Sequence, residues 1–203
     1  MADSFVQVAP DSTGKRLRTY ERDAGGGVMV HDQYVIMGGL PTYYLQTASR
    51  ANSTSAATFI DIFNAVGSGK VVIIKKLFVQ VHYAAVTGAA NLWSVNRTTS
   101  VGTGGTPLTG RTADSADGNL PAQVTARHLP TGGAAQAFTW FTVPLTAEET
   151  QAGSQMIWAF NLCAEGNETR DLHCREGEGI SVTLAAQTAS SGTYSLLAVI
   201  STV

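Results

Sequence analysis

In a series of runs from residue 28 onward, apolar side chains recur at every second position, whereas residues 37–57 read as a loop, and a helical period is almost nowhere sustained. Such alternation sets one face of an extended strand toward a core and the other away from it. Residues 28–35 open the pattern, and residues 58–66 follow. The run from 71 to 83 places Leu77, Val79, Val81 and Tyr83 on one face. Residues 91–97, 138–143, 156–162, 180–184 and 194–201 repeat the theme. About eight to ten strands separated by turns bearing Gly, Ser and Pro are expected. Two packed antiparallel sheets would bury their alternating faces, so the fold expected is an all-β antiparallel β-sandwich, jelly-roll-like, with a closed barrel as the alternative.

Within that frame, Gly67-Ser68-Gly69 reads as the turn of a hairpin joining two neighbouring runs. Thr146-Ala-Glu-Glu149 reads as a capping box that starts a helical turn or two before Gly153. Residues 98–120 carry no hydrophobic rhythm, and a loop of that length inside a compact domain is usually functional or mobile. Residues 1–27 are also without apolar periodicity and end in Gly25-Gly26-Gly27. They are expected to form an extended N-terminal arm ahead of a sandwich at 28–203. Lys15, Arg16, Arg18 and Arg22 crowd this arm and are the candidate protein-interaction residues. The plain reading is a solvated, partly flexible terminus, and the sharper one is an arm that orders by lying along a neighbour, losing its chain entropy only on binding.

Composition narrows function. Charged residues make up 14% of the 203, against a usual share of about 25%, and the formal net charge is −2. A nucleic-acid binder would show a basic excess. No apolar run approaches the ~18 residues of a membrane span, and the start lacks the pattern of a secretion signal. The expected partners therefore include neither nucleic acid nor membrane. An uncharged surface of small polar residues is easily desolvated against another protein.

Candidate chemistry is thin. Gly102-Thr-Gly104-Gly105 is followed by no Lys and no helix-forming run, so it builds no phosphate cradle. Cys163, Asp171, His173 and Cys174 are the one metal-like cluster, but neighbouring strand positions point to opposite faces. Free thiols are the default in a reducing cytosol, with a Cys163–Cys174 disulfide as the alternative. The histidines His31, His82, His128 and His173 are scattered, and Gly-x-Ser-x-Gly is absent. Glu165, Glu168, Asp171, Glu176 and Glu178 read as a solvated acidic turn balanced by Arg170 and Arg175, with a paired-carboxylate site as the sharper alternative. Asn52, Asn96 and Asn167 match the glycosylation pattern without the secretory context that gives it meaning. Trp140 and Trp158 read as core; Trp93, or Tyr43 and Tyr44, are candidate stacking rings for a sugar. No catalytic, cofactor or metal site is expected, and the chain is read as non-enzymatic.

The words Val8-Ala-Pro-Asp-Ser-Thr-Gly-Lys15 and Val30-His-Asp-Gln-Tyr-Val35 resemble the start of tailed-bacteriophage virion proteins. The end is similar too: Gly177-Glu-Gly179-Ile180 opens a strand, and a Thr-Ala-Ser-Ser-Gly-Thr turn leads to a last apolar strand. The resemblance covers about the first 36 and the last 27 residues. It implies a virion structural protein assembled in the host cytoplasm, above all a head decoration (cement) protein. That role implies a homo-oligomer bound to the major capsid protein. A tail, adaptor or receptor-binding component contacting host glycan is the alternative.

Overall fold

The computed structural model describes residues 3–7, 16–23, 29–33, 40–51, 56–86, 89–147, 155–161, 172–185 and 190–203. The chain divides into two compact units, Met1–Gly39 and Leu40–Val203. In the first, strands β1 (Asp3–Gln7), β2 (Arg16–Asp23) and β3 (Met29–Gln33) form an antiparallel meander with β2 in the middle. The stretch expected to be an arm thus supplies two strands of a small sheet. The expected first strand of the sandwich is β3, which pairs with β2 from Thr19↔Gln33 to Asp23↔Met29. Local pairing along the chain accounts for a division at Gly39 rather than after Gly27.

The second unit is a sandwich of two antiparallel sheets. Its long strands, in chain order, are β4 (Thr42–Gln46), β6 (Ala57–Asn64), β7 (Val72–Val86), β8 (Ala89–Thr98), β12 (Gln136–Ala147), β13 (Gln155–Asn161), β15 (Glu178–Leu184) and β16 (Ser190–Thr202). The short β5 (Arg50–Ala51), β9 (Thr106–Pro107), β10 (Arg111–Thr112), β11 (Val124–His128) and β14 (Leu172–Cys174) trim the margins. One sheet runs β10-β4-β16-β7-β13 and the other β12-β8-β15-β6-β11-β9.

The long strands pair from the outside in. The first meets the last (β4·β16), the second the seventh (β6·β15), the third the sixth (β7·β13) and the fourth the fifth (β8·β12). Alternate pairs fall in alternate sheets, which is the wiring of a jelly roll. The expected β6–β7 hairpin is therefore absent: the two strands lie in different sheets. Each has a full apolar face to bury, and crossing between the sheets lets both reach one core. Gly67 and Gly69 take positive φ values of 86° and 62° at this crossing, a conformation glycine adopts without steric cost. The Glu176 carboxylate accepts the N–H groups of Gly67 at 3.2 Å and Gly69 at 2.6 Å. Those two bonds hold the Glu176 carboxyl below its usual range.

The core lies between the sheets. Ile60, Ile62, Trp93, Val95, Ile180 and Val182 face Leu45, Ile74, Leu77, Val79, Tyr194 and Leu196. Trp93 packs edge-on against Phe59 at 5.3 Å and against Tyr194 at 6.1 Å, joining the two layers. Thr146, expected to cap a helix, instead pairs with Ala90 inside β12. A strand partner was available for it, and tertiary pairing overrides a local capping signal.

The segment expected to be a long loop is a strap. Its β9 pairs with β11 at the margin of one sheet, and its β10 pairs with β4 at the margin of the other. Gly105 lets it turn. Its φ is +68°, and a Cβ there would lie 2.5 Å from the carbonyl oxygens of both His128 and Leu129. Gly105→Ala should accordingly cost more than about 1 kcal/mol, read as a lower melting temperature, because backbone atoms would have to move apart. An unchanged melting point would show that the strap yields freely.

Candidate functional site

The most unusual environment is beneath the strap. A register shift between Val182 and Thr183 leaves Phe59 without a partner on β15, and both Phe59 and Ile60 are fully buried. Asp61 follows, opposite Arg127 of β11 and Ser181 of β15. It is fully buried all the same. Two loops close over it, joined by Thr103 N–H to Gly132 O at 2.9 Å and Gly132 N–H to Thr103 O at 3.0 Å. Ala135 N–H donates to Ser100 Oγ at 2.8 Å, and Arg127 Nη1 donates to Gly104 O at 3.0 Å.

Asp61 Oδ2 accepts the Gly102 N–H at 2.8 Å, while its Oδ1 and the Ser181 hydroxyl have no partner among the described residues. Burial lifts the carboxyl from 3.8 to about 6, against the opposing pull of the Gly102 N–H and the Arg127 charge. Leu129, next to these loops, holds a φ of 50° ahead of Pro130, a conformation rarely seen outside glycine. Shut away from solvent, Asp61 secures a loop; it is not placed to meet a substrate. The sequence signal was a lone acid in the apolar run Phe59-Ile-Asp-Ile-Phe63, which sequence reasoning passed over.

A second cluster sits where β14 meets the end of the other sheet. Arg97 donates from Nη1 to His173 O at 2.6 Å, pairs with Glu178, and lies over the Trp140 ring at 5.4 Å. Burial raises the Glu178 carboxyl, but the Arg175 N–H together with Arg97 outweighs it and holds the group below its usual range. Of the candidate metal residues, Cys174 is a buried free thiol, and His173 offers its carbonyl to Arg97. Cys163 and Asp171 lie outside the described residues, as do Glu165, Glu168 and Arg170. Among the described residues, no three His, Cys, Asp or Glu side chains converge as a metal would require.

Burial pushes the Cys174 thiol up to about 12, with Arg97 pulling the other way. Reactivity follows the thiolate, so Cys174 should resist iodoacetamide near pH 8 in the native protein and react once urea unfolds it. Peptide mass spectrometry reads the difference; rapid native labelling would contradict the burial.

The other sequence candidates separate cleanly. Trp93 and Tyr43 are buried at 2% and 3% exposure, so neither is a stacking platform. Tyr44 is 41% exposed and borders a cleft of about 360 Å³ with Gln46, Pro107, Thr109 and Arg111. Asn96 is buried and accepts from Thr139 at 2.7 Å, out of reach of a glycan-transfer enzyme. Asn52 and Asn167 lie outside the described residues. Gly102 to Gly105 serve the strap, through the Asp61 bond and the Gly105 turn. His82 is exposed, and His128 is buried with its Nε2 unpartnered among the described residues. Arg16, Arg18 and Arg22 occupy alternate positions of β2, whereas Lys15 lies outside the described residues.

The outer face of the β10-β4-β16-β7-β13 sheet carries one uncharged row, flanked by a row that contains Lys76 and Arg111. Ala159, Phe78, Leu197 and Gln46 are successive register partners along the uncharged row. Phe78, Gln80 and Leu197 border a shallow, mostly apolar cleft of about 270 Å³.

No protein-family model matches the sequence, and no curated protein matches it. Among solved structures, the chain is similar to one from T=1 particles derived from infectious bursal virus, at 12% identity and a TM-score of 0.20. That match covers 97% of this chain and 48% of the other. A chain from the infectious bursal disease virus Gt strain gives 10% identity and a TM-score of 0.21, covering 98% and 51%. The chain thus spans about half the length of each. At such TM-scores the strand wiring itself remains the evidence for the architecture.

Proposed function

We propose that this chain is a non-enzymatic virion structural protein, and specifically a head decoration (cement) protein of a tailed phage. In this reading it is a small homo-oligomer that binds the major capsid protein and stabilises its shell. The observation that carries the reading is the uncharged row across the outer face of a jelly-roll sheet. Jelly rolls serve capsids, lectins and cupins alike, so the surface and not the fold makes the choice. Apolar groups gain on desolvation and uncharged polar groups lose less than charged ones, which suits a face meant to be covered. Weak contacts repeated over a symmetric shell gain from avidity. Arg16, Arg18 and Arg22, with Lys15, are the proposed shell contacts of the N-terminal unit. Particles lacking the protein should lose integrity at lower temperature or salt stress than complete ones. Equal resistance, together with lost host attachment, would transfer the role to the tail.

One observation favours a glycan-contacting role as the second reading. Tyr44 is exposed beside a polar cleft that includes Gln46 and Arg111, the combination of flat ring and hydrogen-bonding groups that sugars require. A glycan array with wild type and Tyr44→Ala decides it: no binding by wild type removes this reading.

A further inference from the structure

We propose that the outer edge of β13 is the self-contact of this protein, where a second copy adds strand to strand about a two-fold axis. The inference rests on the reading above that copies of the chain associate, and it says where. An unpaired strand edge is a row of backbone N–H and C=O groups waiting for another strand, and proteins that stay monomeric blunt such edges. Three of the four sheet margins in the sandwich are blunted. β9 and β10 are strands of two residues each, and β9 ends in Pro107. β12 is long, but its ladder with β8 shifts register twice and contains Pro144. β13 has none of these protections. It pairs with β7 over seven consecutive residues without a shift, contains neither proline nor charge, and among the described residues has no strand on its other side.

The chemistry of the strand selects the occupant. Gln155-Met-Ile-Trp-Ala-Phe-Asn161 offers no counter-charge to an acidic or basic partner. Set antiparallel against itself about Trp158, it places Gln155 opposite Asn161, Met156 opposite Phe160 and Ile157 opposite Ala159. No like charges meet, and amide ends face amide ends. A contact of this kind is isologous and closes as a dimer. It also continues the surface already present. Ala159 is exposed, and it ends the row through Phe78 and Leu197, so pairing would join two such rows into one longer uncharged row.

Sedimentation velocity of the full chain should find the wild type as a dimer and the Ile157→Lys/Ala159→Lys variant as a monomer with an unchanged far-UV spectrum. Mixing that variant with Ile157→Glu/Ala159→Glu should restore the dimer mass, because each lysine then faces a glutamate. If the lysine pair does not fold, mixed Ile157→Cys and Ala159→Cys chains should form a disulfide-linked dimer under mild oxidation. A monomeric wild type, a dimer indifferent to the lysines, no recovery on mixing folded variants, or no cross-link in the cysteine arm would each overturn the proposal. The particle test reads something separate: unaffected shells would remove the virion role and leave strand pairing standing, whereas a monomeric wild type on stabilised shells would do the reverse.

Discussion

Trp93→Ala should lower the unfolding free energy by about 3–5 kcal/mol, the cost of emptying a large aromatic site in a close-packed core. Trp93 is 2% exposed and stands between Phe59 and Tyr194, one from each sheet. Its rings meet theirs at 64° and 66°, the edge-on geometry aromatic quadrupoles favour. Tyr194 is itself tied to buried Asn91 by a 2.9 Å hydrogen bond, so the loss would loosen a contact spanning both layers. Against a typical total of about 5–15 kcal/mol, that is a large share. Trp93→Phe should cost clearly less. It keeps most ring contacts and removes an indole N–H that has no partner among the described residues. Urea unfolding of the three proteins checks this. A loss under about 1 kcal/mol for the alanine variant would mean that Trp93 does not bridge the sheets as described.

Strand existence was legible because each alternating run is decided within a few residues. β13 and β16 fall close to the runs that the period of two marks out at 156–162 and 194–201. Pairing was not legible. Thr42 lies opposite Ser201, and nothing local in either strand names the other. Gly67-Ser68-Gly69 carried a genuine turn signal, but a turn within a sheet and a turn between sheets need the same residues. The sequence-level division at residue 27 depended on seeing no rhythm in residues 16–23, where alternating Arg, Leu, Arg, Thr and Tyr form β2 without an apolar face to announce it.

The candidate site shows the same limit. The acid of Asp61 sits at the right parity for a solvent-facing position of β6, and its cover comes from Gly102, far along the chain. Trp93 has the parity of a core residue, but only β15 and β16 show which surface that parity faces. The pattern along a strand separates its two faces. What lies over each face is set by long-range pairing.

The buried carboxylate gives the sharpest pH dependence. Asp61 titrates near 3.8 in the unfolded chain and near 6 in the folded one, so the native state holds this proton more tightly. Its contribution is fully present below about pH 4 and is lost as the pH rises through 6, which by linkage costs about 3 kcal/mol above neutrality. Asp61→Asn keeps the shape and an oxygen for the Gly102 N–H, and it carries no charge at any pH. At pH 4 the variant should therefore match the wild type. At pH 8 it should be the more stable protein by up to about 3 kcal/mol, a figure that already contains the opposing pull of the Arg127 charge and the Gly102 N–H. Denaturant titrations at intervals from pH 4 to 8 measure the two curves. Parallel curves would show that Asp61 is solvated in the native state. A variant weaker at pH 8 would show that the carboxylate's bond to the strap outweighs the cost of burying its charge.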